Sequence, residues 1–269
     1  MTSNDSKINF KDLHLKINHH FMDLPVCIFQ HISDKYLNFN DTKHLKQTCK
    51  KCYRIKIKHF NGLPMRILYR LTDDILKNYP HLEILHANYN EKITNINHLT
   101  NLQVLHAIGA SCAISDENIK DLVNLKELHI SYNDKIKDIN HFKNLKVLCA
   151  SKECGLNNKS IKSLVNLEKL DVNDNPDITD INHLQNLKIL CASWNSGIDN
   201  NSIKNLNNLE ELYAWNNKNI TNVNHMKKLK ILNANDDCGI DENGIADLFD
   251  LEQLDSKNNK KILKKFEII

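Results

Sequence analysis

The chain has 269 residues, with 36 basic and 33 acidic side chains and a formal net charge of +3. The two signs are interspersed, so the molecule as a whole is not a polyanion binder, and no stretch approaches membrane-spanning length. Only six glycines are present, and no Gly-rich phosphate loop, G-x-S-x-G or H-E-x-x-H occurs, so no catalytic residue, cofactor or metal is assigned and enzyme activity is not expected.

Residues 1–21 form a polar tail that opens Met1-Thr-Ser-Asn-Asp-Ser-Lys7, without the apolar run of a secretory leader. The eight cysteines are therefore expected as reduced thiols, and the chain is expected in the cytoplasm or nucleus rather than secreted.

Residues 22–60 follow a helical pattern. Pro25 sits one residue into it, where its missing N–H costs nothing. Ile28, Phe29, Ile32 and Leu37 supply an apolar face, and Asp41 can cap a second helix that carries Leu45 and Cys49. Helices this short bury little on their own, so the unit needs a partner surface or the end of a larger array. Leu24, Pro25, Ile28, Ile32, Leu37, Asp41, Leu45, Cys49 and Lys50 together resemble an F-box. The frame departs in three places: Cys27 stands where Glu is usual, one extra residue separates Ile32 from Leu37, and Tyr53 replaces a Trp one position earlier. The resemblance implies that Leu24, Pro25, Ile28, Ile32, Leu37, Leu45 and Cys49 dock a Skp-type adaptor; the alternative is a helical cap that shields the first repeat from water. Cys49-Lys-Lys-Cys52 has neither a second pair nor a βαβ setting, so it reads as neither a zinc ribbon nor a redox motif. The acid-free basic run from Lys43 to Arg70 reads as a solvated face, and no nucleic-acid partner is expected. Residues 61–80 are a junction and N-terminal cap.

From residue 81 to 269 the chain repeats. Leu82, Leu102, Leu125, Leu145, Leu167, Leu187, Leu209, Leu229 and Leu251 are separated by 20, 23, 20, 22, 20, 22, 20 and 22 residues, giving about nine units that alternate short and long. Self-similarity at this period marks a solenoid in which no unit can bury its apolar face alone. Leu82-Glu-Ile-Leu85-His-Ala87-Asn-Tyr-Asn90 and Leu125-Lys-Glu-Leu128-His-Ile130-Ser-Tyr-Asn133 carry an L-x-x-L-x-L-x-x-N pattern that resembles the leucine-rich repeat. Strand alternation sends positions four and six inward and three, five and seven outward. Short units then run Ile93…Ile96-Asn-His98-Leu99, with the three-residue spacing of a tight 3₁₀-like return; long units such as Asn157-Asn-Lys-Ser160-Ile161…Leu164 read as a capped helical turn. The expected fold is an α/β solenoid, its parallel sheet on the presumed concave face and short 3₁₀ or helical turns on the convex face, after a small α-helical F-box-like head.

On the presumed concave face, Val104, Val147 and Ile189 occupy third positions, and His86, His106, His129 and Tyr213 occupy fifth positions. Trp194 and Trp215 lie on adjoining units. These nine residues are the candidate target-binding surface. The histidines should stand on neighbouring strands about 4.8 Å apart, with Cys149 next, but side chains rising in parallel from a sheet are expected to splay, so no metal is assigned. Cys149 and Cys191, two strands and about 10 Å apart, are too distant for a disulfide. Cys112, Cys154, Ser196 and Cys238 read as small buried turn residues, and the Asn-His pairs at 97–98, 140–141, 182–183 and 224–225 as hydrogen-bonding the convex turns. The segment after Leu251 is short for a cap, leaving an edge able to pair with something.

An F-box followed by leucine-rich repeats looks like the substrate receptor of a cullin-type ubiquitin ligase, with the repeats holding an unidentified target protein. The Ile-Asn-His and Cys-Gly-Ile signatures, with heavy Asn, Lys and Ile usage, look especially like proteins of amoeba-infecting giant viruses, in which case the ligase and the compartment belong to the host cell. The alternative is a free-standing interaction scaffold with the helical head as its cap.

Overall fold

The structure is a computed structural model, and it describes residues 30, 33–34, 37–48, 56–60 and 63–262. Of the residues expected to dock an adaptor, Leu24, Pro25, Ile28, Ile32 and Cys49 lie outside the described residues, as do Lys50, Cys52 and Tyr53.

Nine three-residue strands form one parallel sheet in chain order: β1 Ile84–His86, β2 Val104–His106, β3 Glu127–His129, β4 Val147–Cys149, β5 Lys169–Asp171, β6 Ile189–Cys191, β7 Glu211–Tyr213, β8 Ile231–Asn233 and β9 Gln253–Asp255. The register is unbroken, so position three faces position three and five faces five from His86↔His106 through Asn233↔Asp255. Each strand's central leucine is buried, with its neighbours half-buried on the open face, apart from the exposed Gln253 at the last strand. In the first unit Leu82, Leu85, Ala87, Ile93, Ile96 and Leu99 are all buried, and this set recurs down the array as one continuous core. Burying an aliphatic side chain contributes about 1.5–3 kcal/mol, so every unit helps to stabilise its neighbours.

The returns differ by unit length. Short units come back through isolated i→i+3 bonds, such as Leu99 N–H to Ile96 O at 2.9 Å. The long units carry the helices: a 3₁₀ turn at Asp116–Asn118, then α-turns at Asn158–Ile161, Asn200–Ile203 and Glu242–Ile245. Their caps are those expected: Asn157 accepts from Lys159 N–H, Asp199 from Ser202 N–H and Asp241 from Gly244 N–H.

Asparagine bonds stitch one unit to the next. Asn90, Asn133, Asn175, Asn217 and Asn259 are buried at position nine of alternate units. Asn133 Nδ2 donates to Ala107 O (3.0 Å) and Ile114 O (3.2 Å), while its Oδ1 accepts Lys135 N–H (3.0 Å). A second ladder uses the Asn-His pairs. Asn140 Nδ2 donates to Lys159 O (2.8 Å) and its Oδ1 accepts Ser163 N–H (2.8 Å), and Asn182 and Asn224 repeat the arrangement. His183 and His225 reach the Ile161 and Ile203 carbonyls at 3.1 and 3.0 Å. Cys112, Cys154, Ser196 and Cys238 are all buried, as their shared turn position predicts.

The array begins before Leu82. Glu83 and Ile84 N–H both donate to Lys58 O (2.7 and 3.2 Å), repeating the pair that Gln103 and Val104 make to Glu83 O (2.8 and 2.9 Å). Residues 56–60 therefore cover the first edge of the sheet. Asp73, in a turn at Asp73–Leu76, accepts Thr94 N–H (2.8 Å) as Asn158 accepts Thr179 N–H (2.8 Å), and Asn90 Nδ2 holds Leu68 O and Leu71 O at 3.1 Å. The described part of the head packs on this same end. Its helix Phe39–Thr48 places Phe39 edge-on to Phe60 and Tyr79, with ring centroids 5.2 and 6.0 Å away. Gln30 clamps Lys56 through two hydrogen bonds, and Lys58 Nζ bridges Asp34 and Glu83 at 2.9 and 3.1 Å. Leu37 is half-buried there, and Leu45 lies within the helix.

No helix among the described residues is long and apolar enough to cross a membrane.

Candidate functional site

Two rows of side chains run along the sheet. The first stands at position five. His86, His106 and His129 stack face to face, with centroids 4.4 and 4.1 Å apart and the second pair within 5° of parallel. The expected splaying does not occur. The strands are in register at sheet spacing, and Glu127, two residues before His129 and on the same face, turns back so that its Oε1 lies 2.5 Å from His129 Nε2. Burial, then the neighbouring His129 and His86 imidazoles, pushes the His106 pKa down to about 4, and burial lowers His86 as well, so both rings are neutral at physiological pH.

The row continues through Cys149, Asp171, Cys191 and Tyr213. Burial, reinforced by the Asp171 carboxylate, pushes the Cys149 and Cys191 thiols up to about 12 and about 11. These thiols stay protonated and are weak nucleophiles. Asp171 Oδ1 is held by Ser151 Oγ at 2.6 Å, and Tyr213 donates its hydroxyl proton to Glu211 Oε2 at 3.0 Å. Val104, Val147 and Ile189 alternate with Glu127, Lys169 and Glu211 at position three, all half-buried, so aliphatic and charged strips alternate across the face.

The second row lies just past the strand ends, at position eight. There the backbone is left-handed in every unit: Tyr89, Gly109, Tyr132, Lys152, Asp174, Trp194, Asn216, Asp236 and Asn258 have φ between 53° and 101°. This conformation suits Gly, Asn and Asp, and a bulky residue there is a marked exception. Tyr89, Tyr132 and Trp194 are its aromatic exceptions, and all three are exposed; Lys152 is the remaining residue of an unsuited type. Gly109 makes room for Tyr89: a Cβ on Gly109 would sit 2.2 Å from Tyr89 Cδ1. Lys152 Nζ lies 5.7 Å from the centre of the Tyr132 ring and 3.2 Å from Asp174 Oδ2. The Trp194 and Trp215 rings are 4.6 Å apart, Trp215 Nε1–H donates to Asp236, and Asn258 donates to the same carboxylate.

Of the nine sequence-assigned target residues, His86, His106, His129, Val104, Val147, Ile189 and Tyr213 lie on the strands, whereas Trp194 and Trp215 belong to the rim beyond them. Tyr89 and Tyr132, legible in the sequence as aromatic edges of the recognition surface, stand on the same rim. Glu127 and Lys152 join the surface without having been assigned to target binding; their signal was positional, since Glu127 shares a face with His129 and Lys152 stands seven residues after a frame leucine.

No protein-family model matches this sequence, and no curated protein does. Among solved structures, an internalin C2 from Listeria monocytogenes is similar with a TM-score of 0.50 and 20% identity, covering 81% of this chain and 91% of that one. The fold is a leucine-rich-repeat solenoid. Two further Listeria monocytogenes proteins are similar at lower scores: the functional domain of internalin J (TM-score 0.46, 19% identity, 70% of this chain and 47% of that one) and an internalin F (TM-score 0.45, 19% identity, 78% and 80%). At these identities the likeness concerns the leucine-rich-repeat fold alone.

Proposed function

We propose that this leucine-rich-repeat chain is a protein-binding scaffold without catalytic chemistry of its own, and that its partner lies across the strand face and the position-eight rim. The observation that carries this reading is the exposed Tyr89, Tyr132 and Trp194 in left-handed backbone, where six other units place Gly, Asn, Asp or Lys. Placing an L-residue in this region costs about 1–2 kcal/mol, so the array could be more stable with small residues there. Large rigid aromatics beside alternating aliphatic and charged strips are what a protein interface uses as anchors. The partner that suits this surface presents apolar side chains to the strips at Val104, Val147 and Ile189 and cations to Glu127, Asp171 and Glu211.

The test is affinity capture by the full chain beside a Trp194→Ala/Tyr213→Ala/Trp215→Ala variant whose circular dichroism matches wild type. A partner retained by the wild type and released by the variant supports the assignment. An identical set of captured proteins refutes it.

A second, finer reading is that the head recruits a Skp-type adaptor, making the chain the substrate receptor of a cullin-type ubiquitin ligase. Its support is the spacing of Leu24, Pro25, Ile28, Ile32, Leu37, Leu45 and Cys49. The cap reading is supported by Phe39, Gln30 and Asp34, which hold the head against residues 56–60 and Tyr79. Co-purification with a eukaryotic Skp-type adaptor, with Leu24→Ala/Pro25→Ala as control, separates the two. A complex lost in the control supports the receptor; no complex with folded protein leaves the cap.

A further inference from the structure

We infer that His106, His129 and Glu127 form a binding site for a divalent transition-metal ion of the zinc class, placed on the open face of the sheet. One ligand atom from each of the three lies within 4.8 Å of the others. A zinc ion holds nitrogen donors at about 2.0–2.1 Å and carboxylate oxygens at about 2.0–2.2 Å, so tetrahedral ligand atoms stand roughly 3.3–3.5 Å apart. Closing the site therefore takes side-chain rotation of about an ångström or so and no movement of the strands, which the parallel ladder holds in register.

Three features build the site. The pairing of His106 with His129 is fixed by the sheet, which holds their rings 4.1 Å apart and within 5° of parallel, so a ring nitrogen of each is within reach of one ion once the two rings tilt toward it to aim their in-plane lone pairs. Glu127 supplies an anionic oxygen from two residues along the same strand, already 2.5 Å from His129 Nε2. His86 stacks on the far side of His106 at 4.4 Å and limits the swing of that ring. For the ion to bind His129 Nε2, that nitrogen must present a lone pair, so its proton moves to Nδ1 or to solvent, and the hydrogen bond to Glu127 is exchanged for two coordinate bonds. Two imidazoles and one carboxylate are the donor set of a three-ligand zinc site that keeps its fourth position open. On this face the open position points toward whatever crosses the sheet, so a bound ion there is offered to an incoming side chain or water.

Cobalt(II) is the probe, added to chelator-treated full-length protein and followed by its visible absorption. One equivalent is expected to bind with a nitrogen–oxygen spectrum and without the near-ultraviolet thiolate band that Cys49-x-x-Cys52 or Cys149 would add. His106→Asn and His129→Asn should each weaken binding by about 100-fold or more, beyond the usual effect of losing a group that merely orients a ligand. Asn stands at the same row position in β8 (Asn233), so the fold accommodates it, and circular dichroism checks this. A His14→Asn/His19→Asn/His20→Asn variant is expected to bind as wild type does. No spectrum in the wild type, a thiolate band, a spectrum that survives in the His106→Asn/His129→Asn double variant, or one lost with His14, His19 and His20 would each overturn the assignment. None of these outcomes depends on whether a partner protein binds.

Discussion

Replacing Asn133 with Ala tests how the units are held together. Asn133 is wholly buried, and its amide makes three bonds: two donated to the Ala107 and Ile114 carbonyls of the preceding unit, and one accepted from Lys135 N–H. Alanine removes all three and strands two carbonyls and an N–H, each away from any other described partner. At about 1 kcal/mol per buried hydrogen bond, with a further desolvation penalty for groups left unpaired, the loss comes to roughly 3–5 kcal/mol. Because a solenoid is stabilised through nearest-neighbour interfaces, the weakened joint should also split the denaturation into two steps and lower the apparent m-value. The assay is urea denaturation followed by far-ultraviolet circular dichroism. Asn195→Ala is the control: Asn195 takes position nine of an intervening unit, outside the buried ladder, and is exposed, so its loss should stay within about 0.5 kcal/mol. A loss below about 1 kcal/mol at Asn133, or equal losses at the two positions, would refute the account of the ladder as the joint between units.

Ser196→Cys should stabilise the fold by about 1 kcal/mol, a Tm rise of roughly 2–4 °C, because Ser196 Oγ is buried without a hydrogen-bond partner where Cys154 and Cys238 occupy the equivalent turn; a scanning calorimetry trace that shifts down would count against this. Trp194→Gly should leave stability within about 1 kcal/mol of wild type, since relief of the left-handed backbone offsets loss of the Trp215 contact, while partner capture falls; a large destabilisation would mean that Trp194 serves the fold. Asp199 accepts Ser202 Oγ–H (2.7 Å) and Ser202 N–H (2.8 Å), which hold its pKa below the usual 3.8. A depressed carboxylate stabilises the fold above the unfolded value and loses that contribution as pH falls through the folded one, so wild type should exceed Asp199→Asn at neutral pH and the gap should close below about pH 4. A gap that is constant from pH 7 to 3 in urea titrations would contradict this.

The nine units could be read from the chain because a solenoid repeats its physics: the leucine at position four must be buried in every unit, so it recurs at a fixed period. The start of the array was harder to read because its first turn has lost that signature. Ile57 and Phe60 stand where leucines would, and 25 residues separate Ile57 from Leu82, outside the 20–23 rhythm. Lys58 and Asp73 reveal their roles only through the bonds they share with later units. The histidine row was legible as a row, since register follows from the repeat. Its face-to-face stacking was not, because ring orientation is a matter of side-chain rotamer, which leaves no trace in spacing. The cysteine position was legible because a buried turn tolerates few residue types, and the Asn-His position because its half-buried amide bonds the following unit at the same point of each short unit.

The rim shows how repeat geometry separates what the fold requires from what it leaves free. Every unit demands left-handed backbone at position eight, and the demand is met with Gly109, Asn216 and Asn258 at little cost. Tyr89, Tyr132 and Trp194 meet it at greater cost, and burial does not repay them, since each stays exposed. Intra-rim contacts do not repay them fully either: Tyr132 gains one cation contact with Lys152 and Trp194 one tilted ring, each worth about 0.5–1.5 kcal/mol against about 1–2 for the conformation. What remains is a set of rigid aromatic faces held at fixed intervals along one edge of the sheet, with the stacked histidines beside the first two and Tyr213 beside the third. Substituting glycine at 89, 132 and 194 together should therefore raise or hold the urea midpoint while abolishing capture of the partner. A triple variant that binds as well as wild type would show that these aromatics answer to some need other than recognition.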